Sequence, residues 1–125
     1  MLEQVNIESS RKTPYILLDP KGVIQIKGRS IPEDASLFFD DIVEWVDTYI
    51  TLPIEQTQIN IALEYLNSGT SKYILRILKM LKDHPNDNHR LVVNWYYEEG
   101  DDDILERGEY YASILGIKIN YIETE

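Results

Sequence analysis

The sequence contains no cysteine. Disulfides, thiolate zinc sites and cysteine nucleophiles are therefore excluded. No apolar run approaches the roughly 20 residues that span a bilayer, so membrane insertion is not expected. The opening Met-Leu-Glu-Gln-Val-Asn has neither the basic nor the apolar region of a signal peptide. Positive charge is scarce, with 12 Lys and Arg against 22 Asp and Glu and a formal net charge of −10. Such a surface repels phosphate backbones, so nucleic acid is not an expected partner, whereas a basic protein surface is easily accommodated. These absences fit a cytoplasmic protein. There is no linker rich in Pro, Gly or Ser, no internal repeat and no low-complexity segment. What remains, 125 residues of which 43% are hydrophobic, suffices for one domain with one core.

The pattern alternates strands with helices. Residues 1–12 have mixed polarity and read as an N-terminal extension, a loosely held end or a short edge strand, with the domain proper at 13–125. Tyr15-Ile-Leu-Leu and Val23-Ile-Gln-Ile are short strands around the turn Asp19-Pro-Lys-Gly, which predicts a hairpin. A helix follows, started by Ser30 with capping-box spacing to Glu33, or by Asp34. Ala35, Phe38, Ile42, Trp45, Val46 and Tyr49 form its apolar stripe, and Asp40, Asp41, Glu44 and Asp47 its solvated side. A strand is predicted over 58–66, with Ile59, Ile61, Leu63 and Tyr65 on one face. The next helix spans about 71–83 and carries a basic stripe, Lys72, Arg76, Lys79 and Lys82, which could meet an acidic partner but is read first as balancing the domain's own acids.

Beyond it, His84, Asp87 and His89 lie in a turn whose spacing matches no zinc signature. Residues 91–97 are the most hydrophobic strand. The acidic loop 98–103 suits the N-terminus of a helix ending before Gly116, and a last strand covers 118–122. The order ββαβαβαβ predicts a single α/β domain with a mixed sheet, the order found in STAS-type anti-sigma-factor antagonists.

Chemistry concentrates at Asn67-Ser-Gly-Thr-Ser-Lys, where the strand over 58–66 meets the helix. Ser68, Thr70 and Ser71 are hydroxyls at a helix start, where they serve as caps. The same place, with free N–H groups and the positive end of the helix dipole, suits a phosphate. Phosphorylation there adds roughly −1.5 to −2 charges. An enzyme is disfavoured: no nucleophile–base pair, phosphate-binding glycine loop or metal motif is found, and no cofactor is expected. A small-ligand module built on Trp45, Trp95 and the nine tyrosines is the other alternative, although such rings mostly fill cores.

Three stretches resemble the SiaC family of bacterial regulatory phosphoproteins: Thr13-Pro with Gly28-Arg-Ser-Ile-Pro-Glu, then Glu64-Tyr-Leu-Asn-Ser-Gly-Thr-Ser-Lys, then Trp95-Tyr-Tyr with Asp102, Asp103 and Glu106-Arg-Gly-Glu. The resemblance runs from Thr13 to about Ile122. It implies a STAS-like fold and a non-catalytic switch. It further implies a SiaB-like protein kinase, a phosphatase, and a diguanylate cyclase-type effector that one form binds and activates in biofilm signalling. A partner-switching role of the anti-sigma-antagonist kind is the alternative. The family's phosphorylated residue follows the asparagine of the central motif, which is Ser68 here, with Thr70 as the second candidate. Asn67, Gly69, Thr70, Ser71 and Lys72 are then the expected partner-binding residues. The family usually has threonine and an unbroken hydroxyl run where this chain has Ser68 and Gly69.

Overall fold

The computed structural model describes residues 2–125. Its elements are β1 (Val5–Ile7), β2 (Tyr15–Asp19), β3 (Val23–Ser30), α1 (Ala35–Tyr49), β4 (Gln56–Leu66), α2 (Ser68–Lys82), β5 (Arg90–Glu98), α3 (Asp102–Leu115) and β6 (Asn120–Thr124). The six strands lie in sequence order across one sheet. β1, β2 and β3 are antiparallel neighbours, while β3 to β6 run parallel. No helix is long and apolar enough to cross a membrane among the described residues.

Of the two expectations for residues 1–12, the short edge strand is the one formed. Val5–Ile7 pairs with Leu18, Leu17 and Ile16, and the Trp45 indole donates to the Glu3 carbonyl at 2.8 Å. This stretch is therefore built into the sheet rather than placed ahead of it. The predicted hairpin turn forms with the Gly22 amide donating to the Asp19 carbonyl at 3.0 Å. Gly22 has φ 121°, and a Cβ there would lie 2.6 Å from the Gln56 carbonyl oxygen, so only glycine fits.

Each parallel strand sits one step beyond the last, and each step carries one helix. Right-handed crossovers in a single direction place α1, α2 and α3 on the same side of the sheet. The burial pattern agrees. Ile24, Ile26, Ile59, Ile61, Val93 and Trp95 are at most 1% exposed and join Phe39, Ile42, Val46, Ile74, Ile77, Leu78 and Tyr111 in one core. Alternate residues on the same strands, Gln25, Asn60, Asn94 and Tyr96, turn to the side without helices.

The helices start where side-chain caps permit. Asp34 rather than Ser30 caps α1, accepting from the Ser36 amide at 3.0 Å. The Ser36 hydroxyl, more than anything else, holds the Asp34 carboxyl below its ordinary range. Asp101 caps α3, with Asp102 and Asp103 in the first turn, so the acidic loop complements the helix dipole. Gly116 closes α3 in the left-handed conformation, φ 65°. The α1 stripe is rotated slightly from expectation: Phe39 and Val43 are buried, and Phe38 is only partly so.

Candidate functional site: the β4–α2 joint

α2 begins three residues earlier than the hydroxyl pattern suggests. Its N-cap is Asn67, whose side-chain oxygen accepts from the Thr70 amide at 3.0 Å. The Asn67 amide group also donates to the Pro32 carbonyl at 2.9 Å. One side chain thus caps the helix and ties it to the loop between β3 and α1. Ser68 becomes the first helical residue. It is exposed, and its hydroxyl has no protein partner among the described residues.

The other two hydroxyls are committed to structure. Thr70 is 0% exposed, which corrects its standing as a second phosphate acceptor and as a partner contact. Its hydroxyl lies 2.7 Å from that of Ser30, also 0% exposed, and donates to the Ser30 carbonyl at 3.0 Å. The Ser71 hydroxyl is hydrogen-bonded to the Tyr111 phenol on α3. Gly69 faces α1 so closely that a Cβ would stand 3.1 Å from the Ala35 methyl. A threonine or serine at that position would crowd this contact, which gives a physical reason for the interrupted hydroxyl run. Lys72 is exposed one turn after Ser68, on the same helical face.

The surroundings were not visible from local pattern. Tyr65 is 61% exposed, although alternation along β4 predicts it inside. A register shift between Gly28 and Arg29 causes this, pairing Leu63 with Gly28 but Tyr65 with Arg29. The Arg29 guanidinium lies 5.5 Å above the Tyr65 ring and meets Glu64 at 3.4 Å. Ile31 is 39% and Leu37 84% exposed. Ile31 lies in the segment that Asn67 and Thr70 hold against the start of α2, and Leu37 in the first turn of α1. The Asn67 amide donates to the Ser30 carbonyl at 3.1 Å, and the Ile31 amide to the Lys12 carbonyl at 2.8 Å. Ser68 therefore opens a helix whose start is tied to the segment between β3 and α1.

The remaining candidates have other surroundings. Lys79 pairs with Asp83 at 3.0 Å, and Lys82 donates to the Leu115 carbonyl at 2.6 Å, capping α3. Tyr73 donates to Asp40 at 2.6 Å, and that bond is the main reason its phenol titrates above the ordinary value. Trp95 and Tyr111 are core residues, and Trp45 is 8% exposed. His84 and His89 stack with ring centroids 4.0 Å apart, and His89 Nε2 lies 2.7 Å from the Thr57 hydroxyl. No group of three His, Asp or Glu is placed to hold a metal ion among the described residues.

The chain is 22% identical over 111 residues to an uncharacterized protein of Pseudomonas aeruginosa strain UCBPP-PA14, covering 88% of each. Its fold is similar to the crystal structure of apo-SiaC from Pseudomonas aeruginosa, with a TM-score of 0.86 at 21% identity over 96% of this chain and 98% of that one. It is also similar to a chain in the crystal structure of diguanylate cyclase SiaD in complex with its activator SiaC from the same organism. There the TM-score is 0.88 at 21% identity, over 96% and 99% of the two chains. Residues 7–124 match the family described as SiaC family regulatory phosphoprotein, and the chain belongs to that family.

Proposed function

We propose that Ser68 is the phosphate acceptor of a binding switch, and that the unmodified protein docks through the surface around Ser68 onto a diguanylate cyclase and activates it. The observation that carries this reading is the exposure of Ser68 at the first residue of α2, with a free hydroxyl, while Thr70 is buried. A SiaB-like kinase adds the phosphate and a phosphatase removes it, both in the cytoplasm where nucleoside triphosphate is available. The similarity to SiaC in its complex with the diguanylate cyclase SiaD, which it activates, supports the choice of effector.

The physical step is local. An unmodified serine fits a dry interface that also takes in Ile31, Leu37 and Tyr65. A phosphate in the same place must lose its water and find a cation. A buried charge without a partner costs roughly 3–5 kcal/mol, which is about two to four decades of affinity. In the free protein the phosphate is at ease, because it meets the N-terminus of α2 and Lys72 one turn away. Modification thus favours the undocked state without refolding. Lys72 and the Gly69 backbone are the partner-facing groups in this reading, while Asn67, Thr70 and Ser71 shape the site.

Titration calorimetry against the host's diguanylate cyclase tests the mechanism. Ser68→Asp binds at least about tenfold more weakly than wild type, and Ser68→Ala binds as wild type does. Equal affinity of Ser68→Asp and wild type refutes it. Kinase treatment followed by peptide mapping places a gain of about 80 Da, one phosphoryl group, on Ser68.

A further inference from the structure

The turn between α2 and β5 holds the one buried side-chain polar atom left without a partner among the described residues, the Nε2 of His84. The other ring nitrogen of His84, Nδ1, accepts from the Asn86 amide at 3.1 Å. The hydrogen-bond network therefore assigns the proton of the neutral ring to Nε2. The ring lies flat on that of His89, with centroids 4.0 Å apart and an interplanar angle of 10°. Two backbone bonds close the turn. The His89 amide donates to the Asn86 carbonyl and the Arg90 amide to the Glu55 carbonyl, both at 2.9 Å.

From His89 a row of hydrogen-bonding groups runs inward. Its Nε2 lies 2.7 Å from the Thr57 hydroxyl, which lies 2.7 Å from the Tyr49 phenol oxygen. Thr57 and Tyr49 are both 0% exposed. Burial above all holds the Tyr49 phenol above its ordinary value, so it keeps its proton. Each hydroxyl has one proton to give, and neither has a further partner among the described residues. Only one arrangement strands neither proton: Tyr49 donates to Thr57, and Thr57 donates to His89 Nε2. His89 is then neutral, with its own proton on Nδ1. A proton on Nε2 turns the end of the row from acceptor to donor, and one buried hydroxyl loses its acceptor.

The surroundings offer no compensation for a charge. His84 faces His89 across the stack, Tyr49 reaches it from α1 through Thr57, and Asp19 acts on Tyr49 from the end of β2. Glu55, Asp87 and Arg90 are the charged residues of the flanking chain, and Asp83 is taken by Lys79. No carboxylate forms an ion pair with either ring among the described residues. Burial first, and then His84, disfavour the charged form of His89.

We propose that the Tyr49–Thr57–His89 row and the His84–His89 stack form an acid-sensitive latch, which on protonation releases the 84–89 turn from the starts of β4 and β5 while the rest of the sheet stays closed. The proton comes from solvent. On His89 Nε2 it displaces the bond from Thr57, and on His84 Nδ1 it displaces the bond from Asn86. The latch lies at the opposite end of α2 from Ser68 and stands apart from the switch there.

The test is a pH titration of the isotope-labelled full chain by NMR. At neutral pH the ring-nitrogen shifts place the proton of His89 on Nδ1 and that of His84 on Nε2. Thr57→Val keeps the shape and removes the donor to His89, so the His89 midpoint rises toward the ordinary value of 6.5. Loss of an acceptor would lower it instead, so the sign separates the two roles. Below that value, deuterium exchange at the His89 and Arg90 amides, corrected for the intrinsic rate, quickens by up to about tenfold per pH unit. Exchange at Ile61 and Trp95, inside the sheet, does not follow. If Thr57→Val fails to fold, the wild-type tautomer and exchange rates decide. Any of three results overturns the proposal. These are a proton on His89 Nε2 at neutral pH, an unchanged or lower His89 midpoint in folded Thr57→Val, or exchange at His89 and Arg90 that moves only in step with Ile61 and Trp95.

Discussion

Asn67 does with one side chain what three hydroxyls seemed placed to do. Its oxygen caps α2 and its nitrogen reaches Pro32, which frees Ser68 from capping. The hydroxyl pattern at the joint was legible in the sequence. Which hydroxyls are spoken for was not legible, because their partners, Ser30 and Tyr111, lie 40 residues away in the chain. The Ser30–Thr70 contact is dry, so removing one member leaves the other unpaired. Thr70→Val keeps the shape and removes the hydroxyl. It is expected to destabilise the fold by about 1–3 kcal/mol in urea titration while leaving Ser68 phosphorylation intact. Loss of the phosphate site in a folded Thr70→Val protein would contradict the assignment to Ser68.

At the level of elements, periodicity and caps located the helices well, and the misses have particular causes. Gly108 has no side chain to enter an apolar pattern, yet it lets α3 come close to Trp95 of the sheet. A Cβ there would stand 2.7 Å from the Trp95 ring, whose Nε1 donates to the Ile104 carbonyl at 2.9 Å. Gly108→Ala gains roughly 1 kcal/mol of helix propensity but overpacks a fixed indole, which costs typically 1–3 kcal/mol. The net outcome expected is a lower melting temperature and a changed near-UV signal from Trp95.

The turn between α2 and β5 gives a second test. Burial first, and the stacked His84 second, hold His89 below its ordinary value of 6.5. The unfolded chain therefore binds this proton more readily than the folded one. Its contribution to stability is complete above about pH 6.5 and is lost as the pH falls through that value toward the folded pKa. Chemical denaturation from neutral pH down to mild acid should show this loss, and His89→Gln should flatten it.

The molecule as a whole was legible only in part. Alternating strands and helices imply parallel pairing, but nothing local says that every crossover steps in the same direction. That choice leaves one side of the sheet without helices, and it follows from which apolar faces meet in three dimensions. β1 was legible only as one of two alternatives, since three residues are too few to carry a period. Tyr65 was misplaced because alternation assumes an unbroken register, and the register breaks beside it.

The fastening of the β3–α1 segment to α2 has a kinetic consequence. Lys12, Ile31, Ser30 and Asn67 are joined by two backbone hydrogen bonds that link three distant parts of the chain. The Asn67 bond closes the β3–β4 ladder beside the Ser30–Leu66 pair, whereas the Ile31 bond lies outside any ladder. Both protons should be released in one event, when the segment between β3 and α1 lifts from the start of α2. Deuterium uptake at Ile31 and Asn67 is then expected to proceed at matched rates, and Asn67→Ala to accelerate both. Independent rates at the two amides would show that the segment loosens piecemeal, and that an event at Ser68 goes unnoticed at Leu37.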